Sequence, residues 1–330
     1  MIQRKVLMKP KDDFQIGSTR IARGQRAIVD LPIAQLYTHT PLTMPVQVVR
    51  GREPGPALFI NAALHGDELN GVEIVRRVLK LPALGKLRGT LIAVPIVNVL
   101  AFLNQSRYLP DRRDLNRSFP GSESGSLAAR IAHTFLKEIV GRADFGIDLH
   151  TGALHRPNLP QIRADLDNPQ TLKMARAFGV SVVLNSSPRP GSLREFTSKN
   201  HIPVLLYESG EALRFDEDCI RIGVQGVVNV MTVLEMLPPS RRRVKLVNPL
   251  IARASTWVRA PASGILRIRA RLGQRVKFGQ VLGIIADPFG INESPIVSPC
   301  DGLVIGRQSL PPTSEGDAVF HIARVAATAS

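Results

Sequence analysis

Three apolar runs constrain how this chain can fold. Ala57–Leu64 is continuous, as in a strand buried on both faces of a sheet. Asp144–Leu149 and Pro203–Tyr207 are shorter runs of the same kind. Each is followed at once by an ionisable residue: His65, His150 and Glu208. Helical patterns lie between them. Gly71 to Leu81 carries Val72, Val75, Val78 and Leu79 at helical spacing, with Arg76, Arg77 and Lys80 interleaved. Leu127 to Val140 and Leu172 to Phe178 also predict helices; Thr90–Val97 and Val180–Leu184 predict strands. Ala27–Leu31 and Pro45–Val49 add strand-like stretches near the start. This alternation predicts an α/β architecture, with a mostly parallel or mixed sheet flanked by helices. Sheets of this kind bind ligands beyond the carboxyl ends of their strands, where the three ionisable residues are expected.

The pattern changes after Pro238-Pro239 and the basic run Arg241–Arg243. From Thr256 onward short β-like runs alternate with Gly, Pro and Asp turns, and helical periodicity is lost. Val258–Ile265 and Ile296–Leu303 echo each other, like the half-repeats of biotinyl/lipoyl-type β-sandwich domains. Asp287 to Pro295, between the halves, holds no lysine for a swinging cofactor. The expected division is a catalytic α/β domain over 1–245, joined by strands within residues 1–50, and a smaller all-β domain over 246–330 that shields the active-site mouth.

Composition narrows the function. The net charge of +16 comes mostly from dispersed arginines, and aromatics are 5% of the chain. A dispersed positive field favours solubility and an anionic small substrate over nucleic acid, and Arg241–Arg243 with Lys245 reads as a solvated linker. No signal-like segment or bilayer-length apolar run is visible, and Cys219 and Cys300 suggest no disulfide framework. A cytoplasmic protein without membrane or nucleic-acid partners is expected, and a homo-oligomer is compatible.

His65-Gly-Asp-Glu68 places an imidazole and a carboxylate on one tight turn, and Asp148-Leu-His150 brings a second imidazole from another strand. Two imidazoles and one carboxylate with a position left open form the ligand set of a catalytic zinc. The bland reading is a capping glutamate beside a hydrogen-bonded loop histidine. Asp111–Gly121 is by itself a polar loop closed at Pro120-Gly121; functionally it offers an aspartate for a metal-bound histidine and an Asn–Arg pair suited to a carboxylate. Tyr207 should face away from Glu208 into the core. His39, His133, His201 and His321 carry no site signal, and His155 is as well explained by a loop as by a pocket.

Together, His65-Gly-Asp-Glu68, Asp114-Leu-Asn-Arg117, Asp148-Leu-His150 and Glu208-Ser-Gly210 resemble the succinylglutamate desuccinylase/aspartoacylase family, the deacylase branch of the zinc carboxypeptidase superfamily. The resemblance covers roughly residues 45–240. It implies one zinc per chain on His65, Glu68 and His150, with Asp114 holding His65. Asn116 and Arg117 would bind a substrate carboxylate, helped by Arg194, and Arg107 would steady the carbonyl oxygen. Glu208 would act as general base and acid. The implied reaction is hydrolysis of a small N-acylated amino acid or related amine. A metallocarboxypeptidase acting on peptides is the second reading, although only 58 positions (208 − 150) separate His150 from Glu208. A non-catalytic zinc- or ligand-binding protein is the third, and a nucleic-acid binder the fourth.

Overall fold

The computed structural model describes residues 14–239 and 248–325. The Arg241–Arg243 run and the expected boundary between 245 and 246 lie outside the described residues. Strands β1 (Phe14–Ile16) and β2 (Thr19–Ile21) form a small hairpin. Then come β3 (Arg26–Gln35), β4 (Pro41–Arg50), β5 (Glu53–Ala62), helix α1 (Asn70–Leu79), β6 (Arg88–Val94), α2 (Val99–Leu103) and α3 (Leu127–Glu138). β7 (Phe145–Gly152), β8 (Asn158–Ala164), α4 (Pro169–Phe178), β9 (Val182–Asn185), α5 (Leu193–Lys199), β10 (Val204–Glu211) and α6 (Glu217–Val233) follow.

The sheet is mixed. Its centre is the parallel set β10, β7, β5 and β6, extended by antiparallel β4 and β3 beyond β6. Beyond β10, β8 runs antiparallel, β9 runs parallel to β8, and β11 (Leu250–Ala252) runs parallel to β9.

Helices cover both faces, and β5 explains its unbroken apolar run. Leu58, Ile60 and Ala62 pack with α1, α4 and α6, whereas Phe59 packs against α3. The Phe59 ring meets Phe135 edge-on at 6.0 Å. All five residues Leu58–Ala62 are buried, so no polar alternation survives.

Two expectations shift. His150 and Glu208 lie within β7 and β10, not past their ends, because both strands continue through irregular pairing to Gly152 and Glu211. Strand β8 and the 17-residue helix α6 were not anticipated.

The C-terminal region is all-β. It comprises β12 (Ser255–Arg259), β13 (Gly264–Ile268), β14 (Arg275–Val276), β15 (Val281–Ala286), β16 (Glu293–Val297), β17 (Gly302–Arg307), β18 (Pro312–Thr313) and β19 (Ala318–Arg324). One sheet runs β12-β19-β17 and the other β16-β15-β13-β18. They enclose a core that includes Leu266, Leu282, Ile296, Val304 and Phe320.

The two regions share a seam. β17 meets β8 at Gly306 and Asn158, Gln161 donates to the Ile305 carbonyl, and the Ser309 N–H donates to that of His155. A second apolar cluster spans the seam: Val182, Leu184, Ala252, Leu303, Ile305 and Ala323. Among the described residues no helix is long and apolar enough to cross a membrane.

Candidate active site

The turn after β5 carries the first two expected ligands. Gly66 makes that turn possible: a Cβ there would lie 1.9 Å from the carbonyl carbon of Ala101 in α2. The close approach lets the Gly66 N–H donate to the Ser106 carbonyl at 2.9 Å. Ala63, just before the turn, holds φ 51°, a conformation non-glycine residues seldom adopt.

His65 Nδ1 lies 2.7 Å from Glu68 Oε1, and His150 Nδ1 lies 2.7 Å from Glu68 Oε2. One ligand atom from each residue falls within 4.8 Å of the others. All three are buried. Each imidazole is held from behind: His65 Nε2 by Asp114 Oδ1 at 3.1 Å, and His150 Nε2 by Asp148 Oδ2 at 2.8 Å. Asn61 donates to Asp148 Oδ1 at 2.7 Å, and the Thr151 N–H donates to Glu68 at 3.2 Å.

These contacts set the charges. Burial opposes a charged ring at His65 and His150, but facing carboxylates outweigh it and raise both above the ordinary histidine value. Burial likewise opposes charge on Glu68, yet the two imidazoles hold it well below the usual carboxylate range. Asp114, partly buried, is also held low, by His65 and Arg107. The donor set fits a divalent cation: exchanging the protons between Nδ1 and Glu68 for a metal leaves both Nε2–H···carboxylate bonds in place.

Arg107 reaches this group too. It donates to Asp114 Oδ2 at 3.0 Å, and its other terminal nitrogen lies 3.5 Å from Glu68. Glu208 stands opposite His150 on the adjoining parallel strand. Asn158 donates to its Oε1 at 2.8 Å, and Arg163 pairs with its Oε2 at 3.1 Å. Tyr207 points away and is fully buried, its hydroxyl donating to the Cys219 carbonyl.

All nine expected site residues border one cavity of about 650 Å³. The Asn116 side chain accepts from the Leu193 N–H at 3.0 Å, which fixes its orientation. Arg117 donates to the Asn116 carbonyl, and among the described residues Arg194 donates to Ser186, at 3.0 Å to its hydroxyl. Burial, then the nearby Arg163, brings Arg194 down to about 10, and burial also lowers Arg117. Among the described residues no ion pair neutralises Arg117 or Arg194; Arg194 is partly buried and Arg117 exposed, and both guanidinium groups border the cavity.

Sequence reasoning missed the far wall. Ser255, Trp257 and His321, from the C-terminal region, border the same cavity. The Trp257 and His321 rings stack at 4.3 Å and 7°, and His321 Nε2 lies 2.8 Å from the Ser255 hydroxyl. Its Nδ1 is buried without a hydrogen-bond partner among the described residues. Burial and two arginines, Arg163 and Arg189, bring His321 down to about 3. Asp148 was legible in the Asp148-Leu-His150 motif; Asn158, Arg163 and His321 had no local signal, because strand register and the C-terminal region bring them in. His155 is a loop residue, its N–H donating to Glu211.

Comparison with known proteins places the fold and the family. Over 317 residues the chain is 26% identical to the N-alpha-acetyl-L-2,4-diaminobutyric acid deacetylase of Halomonas elongata, covering 91% of this chain and 92% of that protein. A succinylglutamate desuccinylase/aspartoacylase structure from Rhodobacter sphaeroides superposes with a TM-score of 0.81 at 23% identity, covering 93% of this chain and 97% of that one. The product-bound ectoine utilization protein EutE (DoeB) of Ruegeria pomeroyi superposes at 0.82 with 22% identity, covering 96% and 100%. The model of the succinylglutamate desuccinylase/aspartoacylase catalytic domain matches residues 54–234, over half of the 330, and the chain belongs to that family.

Proposed function

We propose that this protein is a zinc-dependent amidohydrolase that removes an acyl group from a small, anionic N-acylated amino acid or related amine. The observation that carries the reading is convergence: the His65–Glu68–His150 cluster, Glu208 and the unpaired Arg117 and Arg194 all face one cavity. Family membership and the deacetylase name of the Halomonas relative support the same class of reaction.

His65, Glu68 and His150 would hold the ion, with Asp114 and Asp148 fixing the two rings. A zinc ion there supplies a water acidic enough to attack at neutral pH and a Lewis acid for the acyl carbonyl. Asn116, Arg117 and Arg194 seat the substrate carboxylate, and the planar guanidinium groups set its orientation. Glu208 takes a proton from the attacking water and returns it to the departing amine, a necessary step because an amide nitrogen leaves poorly unless protonated. Arg107 donates to the oxyanion that develops on the acyl carbonyl oxygen as its carbon becomes tetrahedral; a donor so placed is typically worth about 3 kcal/mol of barrier.

The far wall of Trp257 and His321 bounds the cavity and favours a small substrate over a peptide. We retain the two-domain division and the biotinyl/lipoyl-type reading of the C-terminal region as a structural module, and a cytoplasmic setting for the enzyme.

The test is metal analysis of wild type and His65→Ala beside a hydrolysis panel of Nα-acetyl-L-2,4-diaminobutyrate, N-acetyl-L-aspartate and N-succinyl-L-glutamate. About one zinc per chain in wild type, near none in the variant, and release of a free amine from one panel member are expected. Wild type that stays metal-free after zinc is offered overturns the reading. Zinc and ligand binding without turnover points instead to the binding-protein alternative, and release of C-terminal residues from ordinary peptides to the carboxypeptidase alternative.

A further inference from the structure

The residue that orients Glu208 lies on the seam between the two regions. Asn158 begins β8, and its side-chain amide donates to Glu208 Oε1 at 2.8 Å. Its backbone pairs with Gly210 of β10 on one side and Gly306 of β17 on the other. Asn158 is therefore clamped between the strand that carries the general base and a strand of the C-terminal region.

Gly306 is fitted to this contact. A Cβ on it would stand 2.6 Å from Asn158 Oδ1, inside van der Waals contact. The threatened atom ends a side chain, so the fold can accommodate a methyl group by turning the Asn158 amide. That turn would break the bond to Glu208. Two nearby bonds hold the strands in register: Gln161 Nε2 to the Ile305 carbonyl at 3.3 Å, and the Arg307 N–H to the Pro157 carbonyl at 3.3 Å. Arg163 holds the second oxygen, Oε2, from the same strand. Both contacts to the Glu208 carboxylate thus come from β8, the strand that abuts the C-terminal region.

We propose that Asn158 is a positioning residue for Glu208 and that the C-terminal region, through Gly306, holds Asn158 in place. The inference rests on the reading of Glu208 as the general base. A carboxylate free to rotate spends less time where it can take the water's proton, so turnover falls while substrate binding is kept.

The experiment uses the full-length, zinc-loaded enzyme and the panel member wild type hydrolyses fastest. Asn158→Ala and Gly306→Ala should each lower kcat by roughly tenfold to a hundredfold. KM, zinc content and melting temperature should stay near wild type. In a Glu208→Gln background neither substitution should lower kcat further, because the group being positioned has lost its function. This coupling separates positioning from a general structural defect. Unchanged kcat in both single variants, or full losses again in the Glu208→Gln background, overturns the proposal. Wild type that binds zinc but hydrolyses no panel member overturns the reading of the reaction, and the positioning role with it. Wild-type turnover that survives Glu208→Gln undiminished removes Glu208 as the base and has the same consequence.

Discussion

His321 is a buried imidazole held neutral, and its environment makes it a stability determinant with a defined pH window. Its ordinary value is 6.5, and burial beside Arg163 and Arg189 lowers it to about 3. Below 6.5 the unfolded chain takes up a proton that the folded chain refuses, so this contribution is complete above 6.5 and shrinks as pH falls toward 3. The melting temperature of wild type should therefore fall more steeply than that of His321→Gln between those values. Thermal melts at closely spaced pH would show it, and parallel slopes would contradict it. Neither this residue nor Asn158 was legible in the sequence. His65 and Glu68 are three apart on one turn, and short spacing announces them. Asn158 meets Glu208 across 50 positions, and His321 reaches the cavity only because a separate β region folds against it. Such neighbours are set by sheet register, which no local pattern encodes.

Among the elements, helix α1 was legible because Val75 and Val78 recur on its buried face while Arg76 and Arg77 stay outside. Helix α6 was not. Its segment is rich in valine, and Gly223 and Gly226 blur its period, yet those glycines admit Ile74 and Phe178 at close range. Strand β8 escaped for another reason. Its buried Asn158 and Gln161 serve the site and the seam, so its alternation is not apolar against polar. The α1–α6 contact also carries a charge network. Arg76 and Arg77 donate to Glu73 at 2.5–2.7 Å, and Arg77 reaches across to Glu217 at 2.6 Å. Hydrogen bonds from Arg76 and then Arg77 outweigh burial and bring Glu73 to about 2, against an ordinary 4.5. A lowered carboxylate stabilises the fold above 4.5 and loses that effect as pH falls toward 2. Glu73→Gln should melt below wild type at neutral pH, and the gap should close on acidification. A gap that stays constant would mean that the charge network is not its source.

For the whole molecule, the α/β architecture, the β-rich C-terminal region and the His65–Glu68–His150 cluster were readable, because burial on both faces, loss of helical period and short motifs all leave local marks. The joint between the regions was not. β11 adds to the large sheet next to β9, and Ile305 sits fully buried in the cluster that spans the seam. Ile305→Ala should cost about 2–5 kcal/mol and lower one shared unfolding transition. Calorimetry should record a single peak that moves; a peak that splits, leaving the catalytic part at its original temperature, would show that the regions melt separately. The seam also bears on how such chains diverge. The strand that holds Glu208 abuts the C-terminal region, and Trp257 and His321 from that region border the cavity. If Asn158 positions Glu208 as proposed, a hybrid chain that joins one parent's α/β part to another parent's β part would draw its turnover from both, and recombination between the regions becomes a route to altered catalysis.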